Sequence, residues 1–384
     1  MASVNTGAMP HRLRIAVVGL GGIAQTAHLP LLRRRWDLAQ VAAIADLSAC
    51  RCAQVGEAYG VSAEHQHADL TSLLEREQVD GVVLLTGGSH GPETLECVRR
   101  GIPVLCEKPL AFTIAEADEI AAAEIEKGRP LVLVGYMKEY DDAVSRAVAA
   151  IPTSGIRAVD VEVLHPADES QLAFANLLPA PDDVDAAVLA DVVARTERVV
   201  DAAVGVETPR HLRTLYTNVV LGSLIHNISL LRHLLGGIEE IDGALHWPVD
   251  VMPGSIEARG SIAAGARLHV GWHFLADYPA YRETVTIHHA TGTVQLVFSV
   301  PYVLNIPTEL TVVSSSGASE ERSTSRSVGE AFEHELEAFH ALVTKGVPPS
   351  SGVAEARTDL VTAQSIVRAL ARSEGLTLDG ECSS

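Results

Sequence analysis

The chain has 384 residues, so two domains are the default expectation, because one hydrophobic core rarely serves a chain of that length. Hydrophobic residues make up 47% and charged residues 20%, proportions that are typical of a folded globular protein and argue against a disordered one. The formal net charge of −20 argues against nucleic acid or an anionic membrane as a partner, since both require a basic surface.

Residues 1–12 lack the apolar segment of a secretory signal and are predicted to form a disordered leader. The sequence has no apolar run of the ~18 residues needed to cross a bilayer. Its five cysteines are scattered, and Cys50 and Cys52 lie in a predicted helix without a second pair of metal ligands. This favours free thiols in a reducing cytoplasm over a zinc site.

Strands and helices alternate over the first third of the chain. Near-continuous apolar segments separated by amphipathic helices are typical of a parallel sheet covered on both faces. Residues 13–137 are therefore predicted to form a doubly wound Rossmann domain of the α/β class. The strands are predicted at residues 13–18, 41–45, 79–86, 103–106 and 131–136, and the helices at 23–35, 48–59, 69–76, 92–100 and 115–127.

A glycine-rich turn connects the first predicted strand to the first helix. In dinucleotide-binding proteins of this fold, the first glycine permits a tight bend, and the second lets the main chain approach a pyrophosphate. The last small residue keeps the helix close to the strand. Free N–H groups at the start of the helix face the phosphates. The turn therefore predicts a dinucleotide site at Gly19, Gly21, Gly22, Ile23 and Ala24.

Asp46 ends the second predicted strand, about twenty residues after the turn, where an acid accepts hydrogen bonds from an adenosine ribose. A carboxylate at this place repels a 2′-phosphate, which favours NAD over NADP as the cofactor. Arg51 lies nearby and would relieve the repulsion if it turned toward the phosphate, so NADP stays open. The alternative role for Asp46 is to cap the next helix.

Lys108 follows the fourth predicted strand, within Cys106-Glu107-Lys108-Pro109. Ligands bind at the carboxyl ends of the strands in open α/β sheets, and partial desolvation lowers the pKa of a lysine. Pro109 fixes the main chain and is compatible with a cis peptide bond that aims Lys108 at the cofactor. These features make Lys108 a candidate acid or base, with a surface lysine at a strand end as the alternative.

The second part of the chain, residues 138–375, has a different pattern. Alternating apolar segments joined by short turns predict an α+β domain with a large, mostly antiparallel open sheet. Residues 314–327 are rich in serine and charge and are predicted to be a flexible loop, and the tail 376–384 is predicted to fray. Strands are predicted at 156–164, 243–249, 255–263, 267–275, 283–289, 293–300 and 308–313, and helices at 182–203, 208–235, 329–344 and 353–374.

Several motifs of the first domain together resemble the Gfo/Idh/MocA oxidoreductase family, named for glucose–fructose oxidoreductase and inositol dehydrogenase. They are the glycine turn, Asp46, Thr86-Gly87-Gly88-Ser89-His90 and Glu107-Lys108-Pro109, and their order and spacing fit the family over residues 13–138. The resemblance implies a nicotinamide cofactor, a small-molecule substrate and a second domain whose open sheet makes subunit contacts. A homo-oligomer, either a dimer or a tetramer, would follow.

The same resemblance implies roles for single residues. Lys108 would contact the substrate hydroxyl and the nicotinamide ribose. Tyr136 and Lys138, which end the fifth strand, would line the substrate pocket or would serve only as the junction between the domains. The loop after the third strand would lie against the cofactor, with helix capping as the alternative for His90. The residues assigned to the cofactor here are Thr86, Gly87, Ser89, His90, Glu107, Lys108 and Pro109.

Family members carry an active-site histidine on a helix that ends in Leu-Leu-Gly, and His226 matches that position. The family's aspartate one turn earlier is replaced by Gly222, which removes a carboxylate that would orient the imidazole and stabilise its charged form. The proton acceptor is then Lys108 acting with a neutral His226, unless His226 only binds a substrate hydroxyl or is a buried structural histidine. The remaining candidates for the substrate site are His165, Asn218, Ser223 and Asn227.

The sequence thus predicts an oxidoreductase that moves a hydride between NAD (or NADP) and a secondary alcohol or ketone of a sugar, cyclitol or related polyol, with Lys108 and His226 as the acid–base pair. Two other functions stay open. One is a redox-neutral lyase or glycosidase that recycles a tightly bound NAD; the other is a non-catalytic NAD-binding sensor or partner subunit. No metal is predicted, because the sixteen histidines form no ligand set with nearby carboxylates.

Overall fold

The computed structural model describes residues 12–263 and 265–383. The predicted disordered leader lies outside these ranges except for Arg12. Within the described ranges, no helix is long and apolar enough to cross a membrane.

Six parallel strands form the sheet of the first domain. They are β1 (Leu13–Val18), β2 (Ala39–Ala45), β3 (Gln66–His67), β4 (Gly81–Leu84), β5 (Val104–Glu107) and β6 (Val132–Gly135). They pair in the order β3-β2-β1-β4-β5-β6, which confirms the doubly wound fold. Val18 lies opposite both Ala45 and Leu84, and Leu84 lies opposite Cys106, so the carboxyl ends of four strands meet at one edge.

Helices cover both faces of this sheet. The first, α1 (Leu29–Arg34), follows a π-helical turn at Ala24–His28. The start of the helix Ile114–Lys127, α5, shows how local sequence fixes these elements, since the Thr113 hydroxyl accepts from the Glu116 N–H and the Glu116 carboxylate accepts from the Thr113 N–H. The helices are α1 (Leu29–Arg34), α2 (Ala49–Tyr59), α3 (Leu70–Arg76), α4 (Gly91–Arg100) and α5 (Ile114–Lys127), with a 3₁₀ turn at Ala63–His65. After β6, a 3₁₀ turn at Met137–Tyr140 leads to α6 (Asp142–Ala150), which packs against the sheet of the second domain.

Eight strands form the sheet of the second domain. They are β7 (Ile156–His165), β8 (Ile238–Trp247), β9 (Ser255–Ile262), β10 (Arg267–Phe274), β11 (Arg282–His289), β12 (Gly292–Phe298), β13 (Glu309–Ser316) and β14 (Ser319–Arg326). Their order is β14-β13-β12-β11-β7-β10-β9-β8, and only β7 and β10 run parallel among the described pairs. The predicted, mostly antiparallel open sheet is confirmed.

The helices of this domain cover one face of its sheet and also reach the first domain. The helix predicted over 208–235 is one helical run, but its middle, Leu215–Leu224, is π-helical. On α11 (Ala331–Lys345), Leu336 and Phe339 pack in one cluster with Ile15 of the first sheet. The division of the chain at residue 137 stays a prediction. The helices are α7 (Asp168–Leu172), α8 (Ala186–Val204), α9 (Arg210–Thr214), α10 (Ile225–Leu235), α11 (Ala331–Lys345) and α12 (Val353–Ser373), with 3₁₀ turns at Ala173–Ala175 and Glu381–Ser383.

Two predictions about flexibility are wrong. The segment 314–327 is not a loop, because its residues form the end of β13 and the edge strand β14. An edge strand exposed to solvent is held by main-chain hydrogen bonds and needs no apolar side chains, so its polar composition is misleading. The described part of the predicted tail, residues 376–383, is not frayed either: Leu378 and Cys382 are buried, and the Glu381 carboxylate accepts from the Ile114 and Ala115 N–H groups at the start of α5. Residue 384 lies outside the described residues.

Candidate functional site

The glycine turn lies at the carboxyl edge of the first sheet. Gly19 has a φ of +88°, and a Cβ at this position would lie 2.6 Å from the carbonyl carbon of Leu85, so only glycine fits. Gly21 has open space beside it, since a Cβ there would meet no atom of the described residues within 4 Å. The turn therefore has the tight bend and the accessible main chain that a pyrophosphate requires.

Asp46 organises the turn through its carboxylate. Its oxygens accept from the N–H groups of Leu20 and Ser48, both at 2.9 Å. Ser48, and not Asp46, caps α2, because its hydroxyl accepts from the Arg51 N–H at 2.9 Å. The capping role considered for Asp46 is therefore wrong, and contact with a ribose stays a prediction.

Arg51 does not extend toward solvent beside Asp46. Its side chain is buried, and its guanidinium donates to the carbonyl oxygens of Leu20 at 3.1 Å and of Pro179 at 2.6 Å. Both main-chain contacts would have to break before Arg51 met a 2′-phosphate.

The loop after β4 is held by His90. One ring nitrogen lies 2.7 Å from the Pro109 carbonyl oxygen and the other 2.6 Å from the Thr86 carbonyl oxygen, so the ring joins two loops and neither nitrogen is free for a ligand. The predicted contact of His90 with the cofactor is untested, and the two carbonyl contacts of its ring argue against it. Ser89 donates to Glu116 at 2.7 Å, whereas the Thr86 hydroxyl is buried without a hydrogen-bond partner among the described residues. Such a buried polar atom suits a bound ligand.

Lys108 crosses from the first domain to the second. Its peptide bond to Pro109 is cis, as the sequence suggested. Its ammonium donates at 2.6 Å to the carbonyl oxygen of Gly222, the residue that replaces the aspartate expected from the family resemblance. Burial lowers the pKa of Lys108 below its ordinary value; the charge of Glu107 opposes the shift and that of Lys138 adds to it. A larger fraction of Lys108 is therefore unprotonated near neutral pH than of a surface lysine, and this form can accept a proton.

Glu107 holds the main chain of Lys108 in place. It is buried, and its carboxylate lies 3.0 Å from Nε2 of His28 and accepts from the Lys108 N–H at 3.1 Å. Burial alone would raise the pKa of Glu107, but the contact with His28 and the charge of Lys108 lower it below its ordinary value. Glu107 is therefore a charged anchor for the loop that carries Lys108.

His226 is neutral at pH 7. Burial, together with the positive charges of Lys108 and Lys138, lowers the pKa of His226 well below its usual 6.5. Its Nδ1 is buried without a hydrogen-bond partner among the described residues. A neutral imidazole near a lysine can accept a proton or a hydrogen bond from a substrate hydroxyl.

Two cavities border the helix that carries Gly222 and His226. The larger, about 780 Å³, lies between the domains and is lined by Lys108, Asn218, Gly222 and residues of α8. The smaller, about 70 Å³, is lined by His226, Lys138, Tyr281 and neighbouring apolar side chains. Lys108 therefore borders the larger cavity, and His226, on the helix itself, borders the smaller one.

A buried polar cluster lies behind His226. Glu283 is fully buried and forms an ion pair with Lys138, and it also accepts from Tyr281 at 2.6 Å and from Asn227 at 2.8 Å. Lys138 and Asn227 therefore contact Glu283 in this structure, and their predicted contact with a substrate is untested. Lys138 still borders the cavity beside His226.

The other predicted substrate residues divide into three groups. Asn218 borders the large cavity. His165 packs against the rings of Trp272 and Tyr281, and the Ser223 hydroxyl accepts from the Trp272 indole at 3.0 Å. Tyr136 is only 1% exposed and lies in the hydrophobic core, so its placement agrees with the domain-junction alternative and not with a pocket.

Sequence reasoning missed His28, Glu283 and helix α8 as parts of the site. Glu283 carried a usable signal: on β11 it shares its side of the strand with Val285 and Ile287, which predicts a carboxylate facing the core. No such signal existed for α8, which borders the large cavity through Thr196, because that contact joins distant parts of the chain. Among the described residues, no group of three or more His, Cys, Asp or Glu is arranged to hold a metal ion.

The fold and the site together define a two-domain protein whose first domain is built to bind a dinucleotide. Residues 13–136 match the family model described as "Oxidoreductase family, NAD-binding Rossmann fold", which is the Gfo/Idh/MocA model. The resemblance inferred from the motifs is thus confirmed.

Similarity in sequence to the curated relatives covers only part of the chain. An inositol 2-dehydrogenase from Rubrobacter xylanophilus is 38% identical over 143 residues, which are 36% of this chain and 40% of that protein. The chain is therefore matched over less than half the length of the curated relatives.

Similarity in structure extends over both domains. A 3-ketoreductase from Actinomadura kijaniata, solved with TDP-benzene and NADP, has a TM-score of 0.68 at 17% identity, over 94% of this chain and 98% of that one. An oxidoreductase from Agrobacterium radiobacter, solved with NAD+, L-tartaric acid and magnesium, has a TM-score of 0.67 at 16% identity, over 94% and 97%. At such identities the likeness shows the shared fold.

Proposed function

We propose that the protein is an NAD(P)-dependent oxidoreductase that oxidises a secondary alcohol, or reduces the corresponding ketone, of a sugar, cyclitol or related polyol. One contact carries the proposal: Lys108 of the cofactor domain reaches across the cleft to Gly222, one helical turn before His226. It supports the proposal by bringing the candidate acid–base groups together at the edge where a dinucleotide would lie.

The substrate class follows from the large cavity and from the relatives. Hydroxyl and amide side chains at its wall, including Thr214, Thr217 and Asn218, suit a ligand with several hydroxyl groups. Curated relatives that match the chain include inositol 2-dehydrogenases, which agrees with a polyol. The cavity also has room for a substrate larger than a bare cyclitol.

In the proposed mechanism, the main chain at Gly19 and Gly21 would hold the pyrophosphate, and Asp46 would contact the adenosine ribose. The bound nicotinamide supplies hydride transfer. Lys108 orients the substrate hydroxyl, and its lowered pKa lets it take up the hydroxyl proton with a neutral His226 beside it. In the reverse direction the same groups return the proton to the carbonyl oxygen.

Assembly and location are part of the proposal. The face of the second sheet that carries Asp160, His269 and His288 is exposed in the single chain, and we assign subunit contacts in a dimer or tetramer to it. The five cysteines are free thiols, which agrees with a cytoplasmic protein.

The test replaces Lys108 by methionine, which keeps the length of the side chain and removes the ammonium. Lys108→Met should lower kcat by about 10²–10⁴-fold while NAD binding, followed by titration calorimetry, stays within about threefold of the wild type. Lys345→Met, at the exposed end of α11, is the matched control and should turn over like the wild type. Polyols and nucleotide-linked sugars are screened for NADH formation.

Two results would contradict the proposal. Wild-type turnover in Lys108→Met would remove its catalytic role. Substrate consumption without a stoichiometric amount of NADH would instead indicate a redox-neutral reaction that recycles bound NAD.

A further inference from the structure

A segment of the second domain, residues 176–183, lies on the cofactor domain beside the glycine turn. We call it the strap. Leu177 places its side chain over Gly22, with Cδ1 3.7 Å from where a Cβ would stand. The Leu178 N–H donates to the Gln25 side chain at 2.9 Å. The strap therefore follows the side of the turn that faces β2, where the adenosine half of a dinucleotide is held in this fold.

The strap ends at the corner between β2 and α2. There the Asp183 carboxylate accepts from the Ser48 hydroxyl at 2.5 Å and from the Cys50 N–H at 2.8 Å. Asp183 is thus bound at the start of an eleven-residue helix, in the manner of a bound anion. Ser48 is completely buried beneath it.

The groups that this corner offers to a 2′-phosphate are already occupied. Such a phosphate is held by an arginine near the end of β2, by hydroxyls or by the free N–H groups of the next helix. Here the Arg51 guanidinium donates to the Pro179 carbonyl of the strap, and Ser48 and the Cys50 N–H bind Asp183. The strap therefore occupies a cation, a hydroxyl and a helix N–H at once.

The charges at this corner also disfavour a 2′-phosphate. The Ser48 hydroxyl and the Cys50 N–H hold the pKa of Asp183 below its ordinary value, so the carboxylate is ionised at neutral pH. Asp46 places a second carboxylate on the other side of Ser48 and accepts a hydrogen bond from the Ser48 N–H at 2.9 Å. A phosphate entering between the two would meet like charges and no free cation of the corner.

We propose that the strap, through Asp183, is a cofactor-specificity determinant: it fills the 2′-phosphate position from the second domain and restricts the protein to NAD. The inference rests on the proposed function, because it concerns the cofactor of that same site. It differs from the role of Asp46, which lies in the cofactor domain, since removing the strap carboxylate would admit NADP while Asp46 is unchanged.

The experiment measures binding of NAD+ and NADP+ to the full chain by titration calorimetry, which needs no substrate. The wild type should bind NAD+ about 100-fold more tightly than NADP+. Asp183→Asn removes the charge with little change of shape and should tighten NADP+ binding about tenfold, with NAD+ changed by less than about twofold. Asp183→Arg supplies a cation and should tighten NADP+ binding further. Asp182→Asn, at the neighbouring exposed position, is the matched control and should leave both affinities unchanged.

The outcomes separate this inference from the proposed function. A wild type that binds NAD+ and NADP+ equally overturns the inference alone. The inference alone is also overturned if the ratio of the NADP+ and NAD+ dissociation constants is the same in the wild type, Asp183→Asn and Asp183→Arg. A folded wild type that binds neither nucleotide overturns the proposed function together with the inference.

Discussion

The ion pair between Lys138 and Glu283 provides the sharpest test of how the site is held together. Glu283 is completely buried on β11, and the Lys138 ammonium is its only cationic partner among the described residues, lying also 5.0 Å from the centre of the Phe298 ring. Lys138→Met keeps most of the buried stem and removes the charge. The Glu283 carboxylate would then keep only its hydrogen bonds from Tyr281 and Asn227.

Removing one partner of a buried pair costs about 3–5 kcal/mol, because the remaining charge stays buried without compensation. Two neutral donors remain at Glu283, so we expect the lower end, a loss of about 3 kcal/mol in the free energy of unfolding. In the double variant Lys138→Met/Glu283→Gln neither charge is left unpaired, and the expected loss is about 1–2 kcal/mol. The double variant should therefore be more stable than the single one.

Urea unfolding followed by tryptophan fluorescence measures these differences, because Trp272 is buried in the same sheet. Lys345→Met removes an exposed lysine and should change the free energy of unfolding by less than about 0.5 kcal/mol. A loss below about 1 kcal/mol in Lys138→Met, or a double variant less stable than that single variant, would refute the argument.

Three further predictions concern the turn, the cleft and a buried acid. Gly19→Ala should abolish dinucleotide binding, because the new Cβ would collide with the main chain of Leu85. The control Gly60→Ala, at a positive φ with open space around it, should cost only about 1 kcal/mol of stability. Equal effects of the two substitutions on dinucleotide binding would contradict this. Gly222→Asp places a carboxylate beside the Lys108 ammonium and should raise the pKa of Lys108. Because Lys108 must be unprotonated to accept the hydroxyl proton, the acidic limb of the pH–rate profile for alcohol oxidation should move about one unit upward; an unchanged profile would argue against contact in solution. Burial raises the pKa of Glu335 well above its ordinary value, so the folded state loses stability as pH rises above the unfolded pKa and through the folded one. Glu335→Gln should then gain stability over the wild type between pH 5 and pH 8 in urea unfolding, and a constant difference would refute it.

The sequence by itself determined the first domain. Its alternating apolar strands and amphipathic helices, the small residues of the turn and the lysine after a buried strand are local patterns, and local sterics and hydrogen bonding fix them within a few residues. Lys108 and Asp46 are therefore found without any structure. The alternation of apolar and polar residues predicted the strands of the second sheet in the same way, although the polar edge strand β14 was mistaken for a loop.

Only the tertiary structure decided which distant groups meet. Asp183 lies 135 residues from Ser48, and Lys138 lies 145 residues from Glu283, so neither contact leaves a periodic signal in the sequence. The same holds for Glu381, whose carboxylate turns a tail expected to fray into a cap for α5. Such pairs form because buried or helix-terminal polar groups must find partners once the chain is folded, and the folded path of the chain alone determines which partners are within reach.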